Sequence, residues 1–273
     1  MVVSINSLLI KLASEYYISI DSPEAKQIDA SVLDLKRNLR SYFGSKIKDV
    51  MEFGSYRRDT ILPAKYDPSS DVDLMVVFDR SQGQYSPATY LNYLRGFAQH
   101  HYSRSEIGRT SPSYTITLSH IGYDLVPAFK EDSFFTMFGP SYFIPDGDMS
   151  WQQTDPFTFD LQVGQINTAQ NFMIKPLIRL LKAWNAKVHY PFTGYKLEKK
   201  IIEQYRMPFY YDNLQDLFFD TITDLAASIW FSPRSTVVNN LLSQTGKIKD
   251  ALYTGNRVAA AQHLSYILPF DAP

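Results

Sequence analysis

Residues 53–78 read Phe53-Gly-Ser-Tyr-Arg-Arg-Asp-Thr-Ile-Leu-Pro, then a polar loop, then Asp71-Val-Asp73-Leu-Met-Val-Val-Phe. The last segment predicts a β-strand, because branched and aromatic residues follow the turn-forming sequence Asp-Pro-Ser-Ser. Residues two apart on a strand point to the same face of the sheet. We therefore expect the carboxylates of Asp71 and Asp73 to project side by side at the start of a buried strand.

Two adjacent carboxylates repel each other unless a cation lies between them. Mg²⁺ suits this position, because it is a hard ion that takes few carboxylates and leaves its other positions to water and phosphate oxygens; Mn²⁺ is the alternative ion. Upstream, Gly54 allows the backbone to approach a ligand, and Ser55 leads into a predicted helix start that suits a phosphate. Either motif alone is more typical of a solvated junction, so the prediction depends on their order in the chain.

A third carboxylate lies in the apolar strand sequence Ile121-Gly-Tyr-Asp124-Leu-Val-Pro-Ala. An aspartate among such residues is costly to bury unless it is paired or binds a metal. As a third ligand, Asp124 would complete a two-metal site, in which one ion activates an attacking hydroxyl and the other holds a triphosphate. A phosphate cradle followed by three such carboxylates predicts phosphoryl or nucleotidyl transfer.

The chain has 273 residues, a formal net charge of −1 and no cysteine. This length favours two lobes. The near-neutral charge argues against a long nucleic acid as the main partner, and the lack of cysteine excludes disulfides and fits a reducing cytoplasm. No apolar run approaches the ~20 residues that span a bilayer, and the N-terminus lacks a signal-peptide pattern. We therefore expect a cytoplasmic protein without a membrane partner.

Hydrophobic periodicity and capping residues predict the remaining elements. Helices are predicted at residues 4–20, 23–43, 87–101, 166–188, 197–205, 213–231, 235–244 and 257–267. Strands are predicted at residues 46–53, 74–78, 106–109 with 114–118, and 123–128, the last of them returning antiparallel. Residues 131–165 show no helical period and are predicted to cross from a catalytic lobe to a helical one.

These motifs resemble the signature of the polymerase-beta-like nucleotidyltransferase superfamily, in which a Gly-Ser pair, an Asp-x-Asp pair and a third aspartate recur in this order. The strings Gly-Ser-Tyr-Arg-Arg-Asp-Thr and Ser-Asp-Val-Asp-Leu-Met-Val-Val-Phe are most similar to the bacterial cGAS/DncV-like nucleotidyltransferases (CD-NTases). The segment Trp151 to Pro156 and the sequence Leu-Leu-Lys182-Ala-Trp-Asn resemble that family too. The resemblance therefore covers nearly the whole chain.

The resemblance implies an α+β fold: a polymerase-beta-like core of mixed or antiparallel sheet with flanking helices, plus a C-terminal helical lobe, with the active site in the cleft between them. The catalytic lobe with its N-terminal spine helices would span residues 1–165, and the helical nucleotide-binding lobe residues 166–273. Asp71, Asp73 and Asp124 would be the catalytic residues and would bind two Mg²⁺ ions. The expected reaction joins NTP substrates into a cyclic di- or trinucleotide second messenger and releases pyrophosphate. In bacteria, such messengers switch on a product-sensing effector protein during phage infection.

The resemblance also implies nucleotide-binding residues around the first motif. Gly54 and Ser55 would grip the triphosphate. Arg58, just beyond this cradle, would either contact phosphate or anchor the loop. Asp59 departs from the family pattern, because many relatives have glycine at this position.

Two further nucleotide-binding residues are implied in the second lobe. Lys182 alone would suggest a surface lysine on an apolar helix, but the matching lysine of the family reaches the nucleotide triphosphate. Tyr195 falls where relatives place an aromatic residue beside the nucleotide, often after serine. Here Gly194 precedes it, so the expected hydroxyl contact is absent or comes from Thr193.

Two alternatives remain open from the sequence. An RNA-directed nucleotidyltransferase of the CCA-adding or tailing type shares the three carboxylates, although the near-neutral charge and the lack of an extra basic domain count against it. A catalytically inactive member acting as a binding or antitoxin-like module is the other alternative. The presence of all three carboxylates counts against that one.

Overall fold

The computed structural model describes residues 4–110, 113–131, 141–207, 210–227 and 235–271. Its helices are α1 Ile5–Glu15, α2 Pro23–Phe43, α3 Gly54–Arg57, α4 Pro87–His101, α5 Pro156–Ala169, α6 Ile174–Lys187, α7 Gly194–Gln204, α8 Leu214–Ala227, α9 Ser235–Tyr253 and α10 Arg257–Ile267. Its strands are β1 Ile47–Phe53, β2 Asp71–Phe78, β3 Glu106–Thr110, β4 Ser113–Thr117, β5 Gly122–Glu131, β6 Ser141–Pro145 and β7 Trp151–Thr154.

The strands form one mixed sheet in the order β1-β2-β5-β4-β3, with β6 paired to β5 and β7 to β6. The β2–β5 pair is parallel, while β1–β2, β4–β5 and the remaining pairs are antiparallel. The predicted antiparallel return of β5 beside β4 is therefore confirmed. Because β2 and β5 run in parallel, their first residues lie at the same edge of the sheet.

The two faces of β2 have different surroundings. Val72, Leu74, Val76 and Phe78 are buried on one face, and Phe78 contacts the rings of Phe43 on α2 and Tyr90 on α4. The opposite face begins with the two aspartates and continues into a hydrophobic cluster. That cluster contains Met75, Val77 and Ala128, with Met51, Phe53, Tyr142 and Ile144 packed against it.

Helix α2 begins and ends where the sequence predicts. The Ser22 side chain accepts a hydrogen bond from the backbone of Ala25 at 3.0 Å, Pro23 occupies the first turn, and Gly44 with a φ of 54° follows the last residue. These are the preferred residues for helix N- and C-termini. The hydrophobic periodicity of this helix also predicts that Leu33 faces the core with Val32 and Leu35. That prediction is wrong, because Leu33 is 66% exposed.

The described chain divides into two compact units that are interleaved along the sequence. The sheet unit comprises Ser19–Arg58 and Ser69–Asp160, and the helical unit comprises the described residues within Met1–Ile18, Asp59–Pro68 and Leu161–Pro273. The sequence predicted one boundary after residue 165. Helix α1 and the segment Asp59–Pro68 belong instead with the C-terminal helices.

In the helical unit, α6 is the central element. It packs against α1, α7 and α8, and every residue from Leu177 to Asn185 is buried. Its buried polar residues are bonded: the guanidinium of Arg179 donates to the carbonyls of Ala13 and Asp59 at 3.0 and 2.9 Å. A helix that is buried on all sides needs such partners for its polar side chains.

The region from residue 131 to residue 188 differs most from the prediction. It contains β6, β7 and α5, although residues 132–140 lie outside the described part. The helix predicted over residues 166–188 is divided, because Asn171 and Phe172 have positive φ angles of 50° and 61°. Regular helix resumes at Ile174; Pro176, which is tolerated only in a first turn, predicts a start close to this point, at Lys175. Helix α9 extends to Tyr253, nine residues beyond the predicted end at Gln244. The preceding helix was predicted to end at Phe231, which lies outside the described residues.

None of the helices in the described ranges combines the length and the hydropathy that crossing a bilayer requires.

Candidate active site

The parallel pair β2–β5 brings the three predicted carboxylates together. Asp73 lies directly opposite Asp124 in the register, and Asp71 lies opposite Gly122. One carboxylate oxygen from each of Asp71, Asp73 and Asp124 lies within 4.8 Å of those of the other two, and all three residues are half-buried. The predicted convergence of the three side chains at one edge of the sheet is therefore observed.

This group suits a divalent cation. Three carboxylates so close together repel one another, and a cation between them removes that repulsion. Their oxygens are hard ligands of the kind that Mg²⁺ and Mn²⁺ prefer. Half-buried side chains also leave room for water or phosphate oxygens to complete the coordination. The chemistry of the three side chains thus fits the ion that the sequence predicted.

The glycine of the Gly54-Ser55 pair lies against the second carboxylate. Gly54 has a φ of +78°, and a Cβ atom added there would lie 1.9 Å from Oδ2 of Asp73. The positive φ and the close approach both require glycine. Gly54 and Ser55 begin the single-turn helix α3, so the predicted cradle is directly beside the predicted metal ligands.

Two elements of the site, α3 and β5, are hydrogen-bonded to one turn of α2. Tyr56 on α3 donates to Oδ1 of Asp29 at 2.5 Å, and Tyr123 on β5 donates to the carbonyl of Ile28 at 3.4 Å. Burial raises the pKa of Tyr123 to about 12, so this phenol remains a donor at neutral pH. His120 lies 3.2 Å from the hydroxyl of Ser31 and 3.3 Å from that of Tyr123.

Strand β4 supplies two hydroxyl groups to the third carboxylate. Ser113 Oγ donates to Oδ2 of Asp124 at 2.9 Å, and Thr115 Oγ1 donates to Oδ1. The sequence signal was the alternation Tyr114-Thr-Ile-Thr-Leu118, which predicts a strand with one solvent-exposed face and does not include Ser113. It did not indicate that these hydroxyls would meet Asp124, because strand register is not visible in the sequence.

Arg58 is held inside the sheet unit. Its guanidinium lies 2.9 Å from Oδ1 of Asp160 and stacks over the ring of Phe159 at 5.0 Å. Arg57 contacts the other oxygen of Asp160 at 3.0 Å and lies over Phe157. The contacts with Asp160 and Phe159 give Arg58 an anchoring role, one of the two roles predicted for it, while nucleotide binding by Arg58 stays a prediction.

Lys182 lies in a buried polar cluster of the helical unit. Its ammonium is 3.3 Å from Oε1 of Glu198, which also accepts a hydrogen bond from Thr60 Oγ1 at 2.8 Å. Glu198 is completely buried and Lys182 nearly so. Glu198 was not predicted from the sequence. Its signal was a carboxylate on the apolar face of α7, between Leu197 and Ile201.

Residues 193–195 begin helix α7. The Thr193 side chain caps the helix by accepting from the backbone of Lys196 at 3.3 Å, so its oxygen is engaged locally. A Cβ atom added at Gly194 would lie 3.7 Å from Cε of Lys182, which places residue 194 beside the lysine. Tyr195 is 54% exposed, and its contact with a nucleotide stays a prediction.

The departure at Asp59 has a backbone explanation. Asp59 has a φ of +60°, in the region where glycine is most favourable and aspartate is among the tolerated residues. Its carboxylate lies 2.7 Å from the ammonium of Lys175. An aspartate can therefore occupy the position at which many members of the resembled family have glycine.

The mixed sheet with flanking helices, the three clustered carboxylates and the adjacent glycine define a polymerase-beta-like nucleotidyltransferase fold. The profile of the second messenger oligonucleotide or dinucleotide synthetase (SMODS) domain matches residues 3–167, and the chain belongs to this family. A protein of Bacillus cereus (strain VD146) described as a probable cyclic nucleotide synthase is 27% identical over 218 residues. The match covers 68% of this chain and 64% of that protein, so the chain spans slightly less than two thirds of its relative.

Solved CD-NTase structures share the fold over the whole chain. CdnC of E. coli MS115-1, determined with ATP, superimposes with a TM-score of 0.73 at 13% identity and covers 100% of both chains. CdnG of Bradyrhizobium diazoefficiens, in complex with GTP, gives a TM-score of 0.71 at 11% identity over 96% of this chain and 94% of that one. The predicted α+β fold with a C-terminal helical part is therefore confirmed.

Proposed function

We propose that this chain is a nucleotidyltransferase that joins NTPs into a cyclic di- or trinucleotide second messenger and releases pyrophosphate. The observation that carries the proposal is the cluster of Asp71, Asp73 and Asp124 with the Gly54 backbone packed against Asp73. Membership of the SMODS family and the nucleotides named with CdnC and CdnG support NTPs as the substrates.

The roles of the residues follow from their positions. Asp71, Asp73 and Asp124 would hold two Mg²⁺ ions, or Mn²⁺ in their place. When bound, such ions neutralise phosphate charge and lower the pKa of an attacking hydroxyl. The glycine at position 54 would let the N–H groups of the α3 turn approach a triphosphate, and Ser55 would add a hydroxyl donor. An in-line attack by a ribose hydroxyl on the α-phosphorus forms the new P–O bond and expels pyrophosphate.

Lys182 and Tyr195 would contribute to nucleotide binding. Lys182 would offset triphosphate charge, and its pairing with Glu198 would hold the ammonium in one place until phosphate binds. Tyr195 would stack on a base. Binding of nucleotide by Arg58 would require its guanidinium to serve Asp160 and a phosphate together.

The biological setting belongs to the same proposal. The product would activate an effector protein in anti-phage defence, in the cytoplasm, where NTPs are plentiful. The formal net charge of −1 supports nucleotides over a long nucleic acid as the partner.

The test is a product analysis. The purified chain is incubated with ATP, GTP, CTP and UTP and with Mg²⁺ or Mn²⁺, and product mass is measured before and after phosphatase. A cyclic product keeps its mass, because it has no terminal phosphate. The Asp71→Asn, Asp73→Asn double variant, checked for folding by circular dichroism, should release no pyrophosphate. Unchanged turnover in that variant would contradict the proposal.

A parallel reaction with tRNA separates the RNA-directed alternative. Extension of tRNA by added nucleotides, with no cyclic product from NTPs alone, would favour a CCA-adding or tailing enzyme. Binding of nucleotide without any release of pyrophosphate would favour an inactive binding module.

A further inference from the structure

The hydroxyl face of β4 lies directly beside the third carboxylate. Side chains alternate along a strand, so Ser113, Thr115 and Thr117 share one face, while Tyr114 and Ile116 are buried on the other. Thr115 lies opposite Asp124 in the β4–β5 register. The chain therefore places a row of hydroxyl groups along the side of the strand that carries Asp124.

Two members of this row hydrogen-bond the two oxygens of one carboxylate. Thr115 donates to Oδ1 of Asp124 and Ser113 to Oδ2, the latter at 2.9 Å. Because the donors come from two positions on the same strand, together they fix both the position and the rotation of the carboxylate plane. One donor alone would leave the carboxylate free to rotate.

We propose that Ser113 and Thr115 are positioning residues that set the orientation in which Asp124 binds a divalent ion; this rests on the metal site of the proposed function. A carboxylate offers about four lone-pair positions. The two hydroxyls occupy one position on each oxygen and leave one on each for an ion. Hydrogen bonds of this kind orient metal ligands in proteins, and their loss commonly weakens metal affinity by about 10–100-fold.

The burial of Ser113 supports its role in positioning Asp124. Ser113 is buried, and a buried hydroxyl needs a hydrogen-bond partner. A valine or isoleucine would be the more favourable strand residue at a buried position. The serine therefore makes this part of β4 less favourable than an apolar residue would, and its hydrogen bond to Asp124 offsets part of that cost.

The experiment compares four single variants of the full chain and the Ser113→Ala, Thr115→Val double variant. Thr115→Val keeps the shape of the side chain without its hydroxyl, Thr115→Ser keeps the hydroxyl, and Ser113→Ala removes the second donor. Thr117→Val is the matched control, because Thr117 is exposed on the same face and lies opposite Gly122, which has no side chain. Mn²⁺ affinity is measured by electron paramagnetic resonance, and kcat and KM by pyrophosphate release. Circular dichroism and Tm confirm folding.

We expect Thr115→Val and Ser113→Ala each to weaken Mn²⁺ binding by about tenfold, and the double variant by about a hundredfold. Their kcat should fall while KM for NTP changes little. Thr115→Ser should regain near wild-type affinity, and Thr117→Val should match the wild type. If both hydroxyl-deleting variants bind Mn²⁺ within about twofold of the wild type, the inference is wrong, as it is if the wild type binds no Mn²⁺.

These outcomes are separable from failure of the proposed function. The wild type could bind Mn²⁺, and the variants could show the expected order of Mn²⁺ affinities, while no cyclic product forms. That result overturns the proposed function and leaves the positioning role supported. A wild type that makes the product, with variants indistinguishable from Thr117→Val, overturns the positioning role alone.

Discussion

Gly54 and Asp73 are in direct contact: a methyl group placed on the Cα of Gly54 would lie 1.9 Å from Oδ2 of Asp73. The turn that would bind a triphosphate and the carboxylate that would bind its counter-ion are therefore one packed unit. The close approach and the positive φ, which other residues rarely adopt, both require glycine at position 54.

Gly54→Ala should reduce kcat by at least about 100-fold, because a displacement of about 1 Å at a reacting centre has an effect of this size. The strained φ should also lower the free energy of unfolding by about 1–3 kcal/mol. Gly246→Ala is the control: it lies inside α9 with nothing within 4 Å of an added Cβ, and should raise stability by about 0.5–1 kcal/mol. A wild-type kcat in the Gly54→Ala variant would show that the close contact between residue 54 and Asp73 is not needed for catalysis.

Replacing one carboxylate of the cluster should weaken the stabilisation of the protein by divalent ions. Without them, Asp73→Asn should raise Tm, because it removes like-charge repulsion among three carboxylates within 4.8 Å. Added Mg²⁺ at about 100 times its Kd should stabilise the wild type by about 2.7 kcal/mol and the variant by much less. Thermal unfolding with EDTA and with Mg²⁺ measures both effects. Asp148→Asn, an exposed aspartate outside the cluster, should behave as the wild type, and an equal Mg²⁺ response in both variants would refute the metal site.

Elements were predictable where every local signal agreed. Helix α2 has Ser22 before it, Pro23 in its first turn and Gly44 after it, and its bounds follow from those residues. Asp71 and Asp73 were predictable as a pair because the period of a strand is fixed at two residues. Asp124 was a candidate third ligand because an aspartate in an apolar strand is costly to bury without a partner or a metal. The pairing of β2 with β5, which brings it opposite Asp73, depends on the whole sheet and is not visible in the sequence.

The remaining features depend on specific side-chain contacts that no residue pattern in the sequence shows. The break before α6 is stabilised by Asn167, whose side chain accepts from the backbone of Lys175 at 3.0 Å and whose carbonyl accepts from Phe172 at 2.7 Å. An asparagine within a helical hydrophobic pattern does not indicate that its side chain and carbonyl will stabilise a break in the helix. In the same way, the position of Glu198 on the apolar face of α7 signals a buried carboxylate, but it does not show that the partner is Lys182.

The buried pair Lys182–Glu198 should be strongly coupled. Removing one member leaves an uncompensated buried charge, so Lys182→Met or Glu198→Gln should each lower the free energy of unfolding by about 3–5 kcal/mol. The double variant should lose clearly less than the sum. The control is Lys199→Met on α7, which breaks the exposed pair with Glu203 (51% and 48% exposed, 3.9 Å) and should lose about 0.3–0.5 kcal/mol. Urea unfolding measures all four variants; simple additivity in the buried pair would refute the coupling.

The two arginines that share Asp160 should differ in importance. The Arg58 side chain is 5% exposed and that of Arg57 is 48% exposed. Arg58→Ala should therefore lower the free energy of unfolding by about 3–5 kcal/mol, whereas Arg57→Ala should lower it by less than about 1 kcal/mol. Urea unfolding gives both values. Equal losses would mean that the two contacts with Asp160 are equivalent, contrary to their burial.

His120 should make the sheet unit sensitive to acid. Burial lowers the pKa of its imidazole below the ordinary value, so the unfolded chain binds a proton more readily than the folded one, and stability falls as the pH drops through about 6.5. In His120→Gln the side chain stays neutral, so Tm should fall less than in the wild type between about pH 7.5 and pH 5. His101, whose pKa burial also lowers, keeps part of the acid sensitivity in the variant. An NMR titration of the His120 ring should give a pKa below that of free histidine. An unchanged slope of Tm against pH in His120→Gln would show that this imidazole, between Ser31 and Tyr123, accepts a proton without loss of stability.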